Sequence, residues 1–415
     1  MKILIDGKPL NGYKIQEFNI LSTLNTHSKL IIKFKISKIE SLFNKTIEII
    51  KDKKIFKGKI TFFEQTGYED IEIVAYSLTY ELDKITNFRI YQDEDVSYKQ
   101  IIDEIMKEYN LRYTVSQKLN KKIGRMYVQY METDFEFIKR ILSNEKEVIL
   151  STYEGIILFG MQNLVNSNIK NILNKGHIVE NDCEYVTFYT KDEAYITGDK
   201  ISSLHIIKSE ISMEKNIVIN KLYCCSKYFT KQKYISKLQG LHLEARVVEV
   251  IADKNIAKMK VDFSNVLGFK DKSKNKKKIP FTTFYSKTNT GFFPTPEVND
   301  NVDVYFPTYN EEDIKIGLSI NNEESGRFCD YNKRNFGNKN ILIELTDNRF
   351  FIDSSEIVLQ TKKDFNVVSG QNFKLDVNDS YTQYSKKIIQ VSKNGDIEIN
   401  SKKNILLKAL KIHNN

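Results

Sequence analysis

The residues that could carry out acid–base, nucleophilic or metal chemistry are few in this 415-residue sequence, and they lie far apart. A hydrolase needs such groups close together, because one side chain must activate another or several must hold one metal ion. The five histidines show no HExxH spacing and no clustering with serine and aspartate; they are His27, His177, His205, His242 and His413. We therefore expect no catalytic residues, no cofactor and no enzymatic activity.

The four cysteines also lack a pattern that indicates chemistry. Cys183, Cys224, Cys225 and Cys329 form no CxxC pair and no spacing typical of a zinc site. The adjacent Cys224 and Cys225 cannot bridge each other without strain. We expect buried, reduced thiols.

Three carboxylates ahead of a predicted helix start have a structural interpretation. Ser97 and Gln100 have the spacing of a capping box, and Asp93, Glu94 and Asp95 precede it. Negative charge at that end of a helix is stabilised by the helix dipole. This role is favoured over general acid–base catalysis.

The excess positive charge is localised. The chain carries 63 Lys and Arg against 54 Asp and Glu, a net charge of +9. Residues 270–278 contain six lysines and one aspartate, and residues 331–415 contain fourteen basic and nine acidic residues, so the remainder is close to neutral. The 270–278 run has no aromatic residue that could stack on a base. We interpret it as a solvated loop and expect no specific nucleic-acid partner.

The composition indicates a folded protein that is made in the cytoplasm. With 41% hydrophobic residues, 25 Phe and 23 Tyr, the chain can build hydrophobic cores. The apolar run in residues 1–7 is too short for a signal peptide, and no stretch approaches the roughly 18 apolar residues of a membrane span. We therefore expect synthesis in the cytoplasm without a signal peptide. Any export would then depend on something other than an N-terminal signal of the chain.

Most of the chain shows the period-two alternation of apolar residues that is typical of β-strands. The alternation is clear in residues 30–36, 55–60, 71–75 and 148–237. Helical spacing interrupts it twice, after the capping box at Ser97 and after a second one formed by Thr133 and Glu136. The fold is therefore predicted to be mainly β with short helices.

A compact β module is predicted over residues 238–322. Five or so short strands in about eighty residues are the content of a small closed barrel of the OB type. Four of the five prolines lie here, at Pro280, Pro294, Pro296 and Pro307. Corners and edge strands of a barrel tolerate proline where central strands do not.

An eight-residue repeat occupies residues 357–415. Its first position is Ile357, Phe365, Phe373, Tyr381, Ile389, Ile397 and Ile405, and its third is Leu359, Val367, Leu375, Gln383, Val391, Ile399 and Leu407. Thirteen of these fourteen residues are apolar, which has a chance probability on the order of one in ten thousand at the chain's overall hydrophobic frequency. Ser369, Ser385 and Ser401 stand four places after a first position, where serine favours a bend.

The repeat predicts an assembly of several chains. Each octad places two apolar side chains on the same face of a strand, and one octad cannot bury that face alone. A single chain wound into a triangular solenoid would complete little more than two coils, fewer than the roughly three repeats that such arrays need. We therefore predict a homotrimeric β-prism, an intertwined β-helix with the thirteen apolar residues as its core. A monomeric solenoid is the alternative.

Three segments carry a resemblance to a known family. Residues 129–142 match the pattern Q-Y-x-E-[ST]-D-x-x-F-x-x-R-L-L, with Ile141 at the first leucine, and residues 56–60 match F-x-G-x-I. Residues 291–306 are similar to G-x-x-x-x-P-x-x-G-D-E-V-x-V-x-F. These patterns belong to VgrG-type spike proteins and to the related baseplate hub proteins of contractile phage tails and contractile injection systems, which the chain resembles over essentially its whole length.

The chain departs from the family in two places. Asn299 stands where the family has a glycine, and asparagine tolerates a positive φ better than other residues with a side chain. The valine–glycine octads of the family are not matched, so the octad period is similar but its residues differ.

The resemblance implies two hub β-barrels, an OB barrel and a trimeric needle. The implied domains are the first hub barrel at 1–95, a helical segment of the hub at 96–147, the second hub barrel at 148–237, the OB fold at 238–322, a connector at 323–356 and the needle at 357–415. The implied function is a structural hub and membrane-puncturing spike that closes the tail tube. The implied partners are two further copies of the chain, tail-tube and baseplate proteins, a PAAR-like tip protein or effector, and a target membrane. Such a spike would be assembled into a phage tail or a type VI secretion particle and delivered outside the cell or into a target.

Two alternatives concern the needle. Some spikes of the family bind iron at the tip through His-x-His, so His413 is a candidate metal ligand in a trimer, although a frayed tail is the favoured interpretation of a single histidine. A trimeric tail fibre or adhesin could also use the prism as a stalk. That function would require a receptor-binding head, which the sequence does not indicate.

Overall fold

The computed structural model describes residues 1–37, 40–161, 166–167, 169–180, 183–201, 203–215, 217–226, 232–254, 256–266, 268–288, 290–321 and 329–413. The chain divides into two compact units, Met1–Asp330 and Tyr331–Asn415. Strands dominate and helices are few and short, which confirms the predicted fold class. Within the described residues, no helix is both long and apolar enough to cross a membrane.

The elements follow one another along the chain in this order. The first strands are β1 (Lys2–Ile5), β2 (Lys8–Pro9), β3 (Tyr13–Thr23), β4 (Lys29–Ile36), β5 (Thr46–Lys51), β6 (Lys53–Thr66), β7 (Asp70–Ser77) and β8 (Thr86–Tyr91). Then come α1 (Tyr98–Met106), β9 (Tyr113–Val115), β10 (Tyr127–Thr133), α2 (Asp134–Asn144), β11 (Ile149–Ser151), β12 (Ile157–Phe159), β13 (Asn166–Ser167), β14 (Ile172–Glu180), β15 (Cys183–Lys191), β16 (Lys200–Ile201), β17 (Leu204–Glu214) and β18 (Ile217–Cys225). The last strands are β19 (Leu241–Asp253), β20 (Ile256–Asp262), β21 (Lys270–Asp271), β22 (Ile279–Pro280), β23 (Ser286–Lys287), β24 (Thr290–Gly291), β25 (Asn301–Phe306), β26 (Lys315–Ser319), β27 (Arg334–Gly337), β28 (Leu342–Leu345) and β29 (Phe350–Asp353). Short 3₁₀ turns lie at Leu78–Asp83, Gln117–Asn120, Ser236–Leu238 and Glu311–Asp313.

One large sheet contains strands from both segments that were predicted as hub barrels. Its order is β14-β15-β18-β17-β3-β4-β7-β6-β5-β1-β2, with β16 paired to β17 and β13 to β16. The antiparallel pairing of β3 with β17, in which Ile20 faces Ile211, joins the two segments. Alternate residues of β4 enter the core, as the period-two pattern predicted. The domain boundaries within this region stay a prediction.

Close packing at Gly58 explains the F-x-G-x-I pattern. A Cβ atom at this position of β6 would lie 2.2 Å from the carbonyl oxygen of Tyr76 on β7 and 2.7 Å from the ring of Phe56. A backbone oxygen in a sheet cannot rotate away. Any side chain at Gly58 would therefore push β6 and β7 apart.

We expect Gly58→Ala to destabilise the protein by about 1–3 kcal/mol, the usual cost of overpacking. The midpoint of thermal unfolding measures this loss. Gly176→Ala in β14 is the matched control, because its Cβ would closely approach only the hydroxyl of Thr187, at 2.9 Å, and that group can rotate. Equal losses in the two variants would contradict the explanation.

Both predicted capping boxes are confirmed. The side chain of Ser97 accepts a hydrogen bond from the backbone of Gln100, and the Gln100 side chain accepts one from the backbone of Ser97. Thr133 and Glu136 form the same reciprocal pair at the start of α2. The two helices bury the faces predicted from their spacing, namely Ile101, Ile102, Ile105 and Met106 in α1 and Phe137, Ile138, Ile141 and Leu142 in α2.

Residues 241–319 form a closed five-stranded barrel, which confirms the predicted OB-type module. The strand order is β22-β20-β19-β25-β26. A parallel bridge between Phe281 and Ile316 closes the barrel, and the amide of Thr282 donates a hydrogen bond of 2.7 Å to the carbonyl oxygen of Ile316. Its interior is made by Val247, Met259, Val261, Phe263, Ile279, Val302, Val304, Phe306 and Ile316. Pro280 ends β22, and the other three prolines of this region lie outside the strands.

Asn299 adopts the backbone conformation for which the family uses glycine. Its φ is +79°, as the substitution of asparagine for glycine predicted. The turn is held on both sides, because the Asn299 amide donates to the Val247 carbonyl at 2.8 Å and the Val247 amide donates to Asp300 at 2.9 Å. The turn between the predicted strands therefore survives the substitution.

The second unit, described by itself, begins with a small antiparallel meander. Strands β27, β28 and β29 pair in sequence, with Phe336 opposite Ile343 and Ile343 opposite Ile352. They lie within the predicted connector, of which residues 323–328 are outside the described residues. After Asp353 the described part of this unit contains no further strand.

Candidate functional site

The octad segment bends with the period predicted from the sequence. Between residues 355 and 410 the backbone bends at 355, 362–363, 370–371, 378–379, 386, 393–395, 402–403 and 410, and it is extended between these points. Ser369, Ser385 and Ser401 lie at or just before bends. Their hydroxyls donate to the backbone carbonyls of Asn372, Lys387 and Asn404, at 2.7, 3.0 and 3.3 Å. Each octad is thus one short extended segment and one bend.

The apolar positions of the octads have no partner within the chain's described residues. The thirteen predicted core residues are between 52% and 75% exposed; they are Ile357, Leu359, Phe365, Val367, Phe373, Leu375, Tyr381, Ile389, Val391, Ile397, Ile399, Ile405 and Leu407. Burying a side chain of this size stabilises a protein by about 1.5–3 kcal/mol. A contiguous apolar surface of this extent is typical of an interface. The assignment of these thirteen residues to the core of a trimer stays a prediction.

A buried charged cluster lies in the first unit, around Asp134 at the start of α2. Asp134 is fully buried and accepts hydrogen bonds from Arg89, from the Tyr109 hydroxyl at 2.7 Å and from the Gln129 amide at 2.8 Å. Arg89 also donates to Glu108 at 2.9 Å. The cluster ties β8, β10, α2 and the turn after α1 together, so its role is to fix the helical segment on the strands.

A second buried cluster centres on Arg140 of α2 and reaches the OB barrel. Its guanidinium donates to both carboxylate oxygens of Glu132, at 2.9 and 2.8 Å, to the Val128 carbonyl at 2.7 Å and to Glu311 at 2.7 Å. Burial alone would lower the pKa of Arg140, but Glu311 and Glu132 outweigh burial and raise that pKa, so the side chain stays charged. Because Glu311 belongs to the 3₁₀ turn between β25 and β26, this cluster joins the helical segment to the barrel.

These clusters contain the residues of the longest family pattern. Gln129, Glu132, Asp134 and Arg140 were noted only for their resemblance, and the structure gives each a buried hydrogen-bonding role. For Asp134 and Arg140 a signal was present in the sequence, since charged residues on an otherwise apolar helix face indicate buried pairing, whereas Gln129 and Glu132 lie on β10. Their distant partners, such as Arg89 and Glu311, could be found only from the tertiary structure.

The prediction of a solvated loop at 270–278 was wrong for Lys276 and Lys277, whereas Lys272, Lys274 and Lys278 are exposed as predicted. Strand β21 pairs in parallel with β8. Lys276 lies 2.7 Å from Asp271, and Lys277 lies 2.6 Å from Glu94 and 2.8 Å from Glu312. The Lys276 and Lys277 side chains are only 14% and 13% exposed. Lys277 makes the segment a structural joint, because its carboxylate partners Glu94 and Glu312 are remote in sequence, whereas Lys276 pairs with Asp271 inside the segment.

The carboxylates ahead of α1 take part in this joint. Asp93 accepts from the Asn275 amide at 3.2 Å, Glu94 pairs with Lys277, and Asp95 pairs with Lys122 at 2.7 Å. Their contacts are therefore with specific cations and an amide, whereas the predicted role was a general interaction with the helix dipole.

One histidine lies in a cluster that the sequence did not indicate. The two ring nitrogens of His27 are each 2.9 Å from an oxygen, Thr79 Oγ1 on one side and Asp83 Oδ2 on the other. Thr79 is fully buried and the His27 ring packs against Phe135 with centroids 4.1 Å apart, so a substrate has no access to the hydroxyl. Burial lowers the pKa of His27, although Asp83 opposes this. The cluster joins the β3–β4 turn to α2.

The remaining histidines and the cysteines form no metal site among the described residues. Among the described residues no group of three or more His, Cys, Asp and Glu side chains could hold a metal ion. Cys224 and Cys225 are buried, as predicted, and burial raises the pKa of Cys224 to about 12. Cys329 is exposed, so the prediction of a buried thiol was wrong there. His413 lies on the exposed octad segment, and its metal binding stays a prediction.

The comparison with protein families matches this part of the molecule. Residues 44–146 match the phage tail baseplate hub (GPD) family. The matched region includes Gly58, the Asp134 cluster and Arg140. No curated protein sequence is similar enough to the chain to count as a match.

Solved structures share the fold over most of the chain. The Escherichia coli c3393 protein, described as a component of the type VI secretion system with structural similarity to T4 bacteriophage tail proteins gp27 and gp5, is 14% identical with a TM-score of 0.58. The match covers 77% of this chain and 100% of that chain. The Francisella PdpA–VgrG complex is 9% identical with a TM-score of 0.55, over 84% of this chain and 83% of that chain. The resemblance to VgrG-type spikes and baseplate hubs is therefore confirmed.

Proposed function

We propose that this chain is the central hub and membrane-puncturing spike of a contractile injection machine, and that it acts as a homotrimer without enzymatic activity. The observation that carries the proposal is the octad segment. Its bends recur every eight residues, and its thirteen apolar core positions are more than half exposed in the single chain. Three interwound copies would bury these positions and pair the extended segments with one another.

The first unit supports the hub role. It contains the baseplate hub match and the OB barrel, and the two are joined by the buried ion pair of Arg140 with Glu311 and by the ion pair of Lys277 with Glu94. A machine that transmits force along a shaft needs such rigid joints, because a flexible hinge between hub and barrel would bend under the force instead of transmitting it. The hydrogen bonds of Arg140 to Glu132 and Glu311 fix the orientation of the barrel on the hub, because a guanidinium binds carboxylates with a specific geometry.

The proposed partners follow from the position of the trimer in such a machine. Tail-tube and baseplate proteins would contact the hub, and a PAAR-like tip protein or an effector would sit on the needle. The assembled particle would act outside the cell or in a target, and the needle would meet the target membrane mechanically.

Measurement of the mass in solution tests the proposal. We expect the full chain to sediment as a trimer and a chain lacking residues 357–415 to trimerise more weakly. A stable monomer of the full chain would contradict the spike function. An unchanged trimer after the deletion would instead show that the hub alone specifies the assembly.

A further inference from the structure

The positive charge of the octad segment is concentrated in its second half. Residues 357–380 contain three lysines and three acidic residues, whereas residues 381–413 contain seven lysines and two acidic residues. All these side chains are exposed. In the first half Lys374 pairs with Asp376, at 2.5 Å, but none of the seven lysines of the second half forms an ion pair with a described residue.

These lysines lie where an assembled needle would face outwards. Lys386, Lys393, Lys402 and Lys403 occupy bends, and the bends are the corners between the extended segments. The apolar positions of each octad lie on the segments between the corners. Packing of the apolar positions inside a prism would therefore leave the lysines on its outer edges, and three copies would surround the shaft with positive charge.

We propose that the outer surface formed by residues 381–413 binds the anionic phospholipid headgroups of a membrane. This inference rests on the proposed function, because it needs the trimeric needle. Lysines near an anionic bilayer are attracted at about 1 kcal/mol each, which is roughly a fivefold gain in binding per residue. Tyr384, which is 93% exposed, lies two residues before Lys386, and tyrosine is favoured at the headgroup level of membranes.

The positions of the lysines along the segment favour a membrane as the binding partner over an acidic protein bound at the end of the needle. A protein bound beyond Leu407 would contact the last octad, but Lys386 and Lys387 lie three octads before that one. Only a partner that surrounds the shaft as it passes can contact the whole series of lysines. A bilayer that is being crossed is such a partner.

Binding to vesicles tests the inference with matched variants of the full chain. Vesicles of equal parts phosphatidylglycerol and phosphatidylcholine are compared with vesicles of phosphatidylcholine alone, by co-sedimentation at low salt. One variant carries Lys386→Gln, Lys387→Gln and Lys402→Gln. The control carries Lys362→Gln, Lys363→Gln and Lys374→Gln in the first half.

We expect the unchanged chain to prefer the anionic vesicles and the preference to weaken with added salt. The variant of the second half should lose at least roughly a hundredfold in binding, the effect of three lysines in one copy, and the control only a few-fold. Equal binding to both kinds of vesicle would overturn the inference, and it is the result expected if the lysines bind a tip protein. Equal losses of binding in the two variants would overturn it as well. The mass of each sample is measured in parallel: a trimer without lipid preference overturns this inference alone, whereas a monomer contradicts the proposed function.

Discussion

Replacing both Ile389 and Val391 by aspartate is expected to make the octad segment sensitive to protease and to weaken or abolish the trimer. In a prism these two residues lie on the same inward face of one octad, and three copies would bring six carboxylates into an apolar interior. An ionised carboxylate without a partner costs several kcal/mol to bury. Trypsin should then cut at Lys386, Lys402 and neighbouring lysines, whereas we expect the unchanged trimer to resist cleavage there.

The matched control substitutes Gln390, the residue between Ile389 and Val391. Gln390→Asp adds a carboxylate to the same octad, but alternation places it on the opposite, outward face. We expect this variant to keep the mass and protease resistance of the unchanged chain. Equal sensitivity of both variants, or resistance of both, would contradict the assignment of Ile389 and Val391 to a shared core.

Replacing Arg140 by alanine is expected to destabilise the first unit by about 3–5 kcal/mol, since Glu132 and Glu311 would be left buried without their main cation. The midpoint of thermal unfolding should fall by roughly 5–15 °C. Lys99→Ala on the exposed face of α1 is the control and should change the midpoint little.

A rescue variant separates lost charge pairing from lost packing. Combining Arg140→Met with Glu132→Gln and Glu311→Gln removes all three charges while keeping similar volumes, and buried ion pairs replaced in this way are often tolerated. We expect it to recover much of the stability that Arg140→Ala loses. If it were no more stable than Arg140→Ala, the cost would lie in packing and hydrogen bonds to backbone such as that to Val128.

Local patterns in this sequence predicted local structure well. The capping boxes at Ser97 and Thr133, the positive φ of Asn299 and the eight-residue spacing of the bends each depend on a few neighbouring residues. Conformational preferences act over that range, so they can be read without knowledge of the fold. The period of the apolar positions likewise indicated which face of each strand must be covered.

The misassigned segments depend on contacts between residues remote in the chain. The run 270–278 resembled a solvated loop because its carboxylate partners Glu94 and Glu312 are distant in sequence. For the same reason the sequence did not indicate that His27 meets Asp83, or that Glu311 completes the cluster of Arg140.

The sequence by itself thus determined the mainly β fold, the barrel module, the helix starts and the eight-residue repeat. These follow from periodicity and from the preferences of single residues. Only the tertiary structure decided how the barrel is held on the hub and where the lysines of 270–278 find their partners. Ion pairing is a matter of distance in space, and the distance between two charges is fixed by the whole fold.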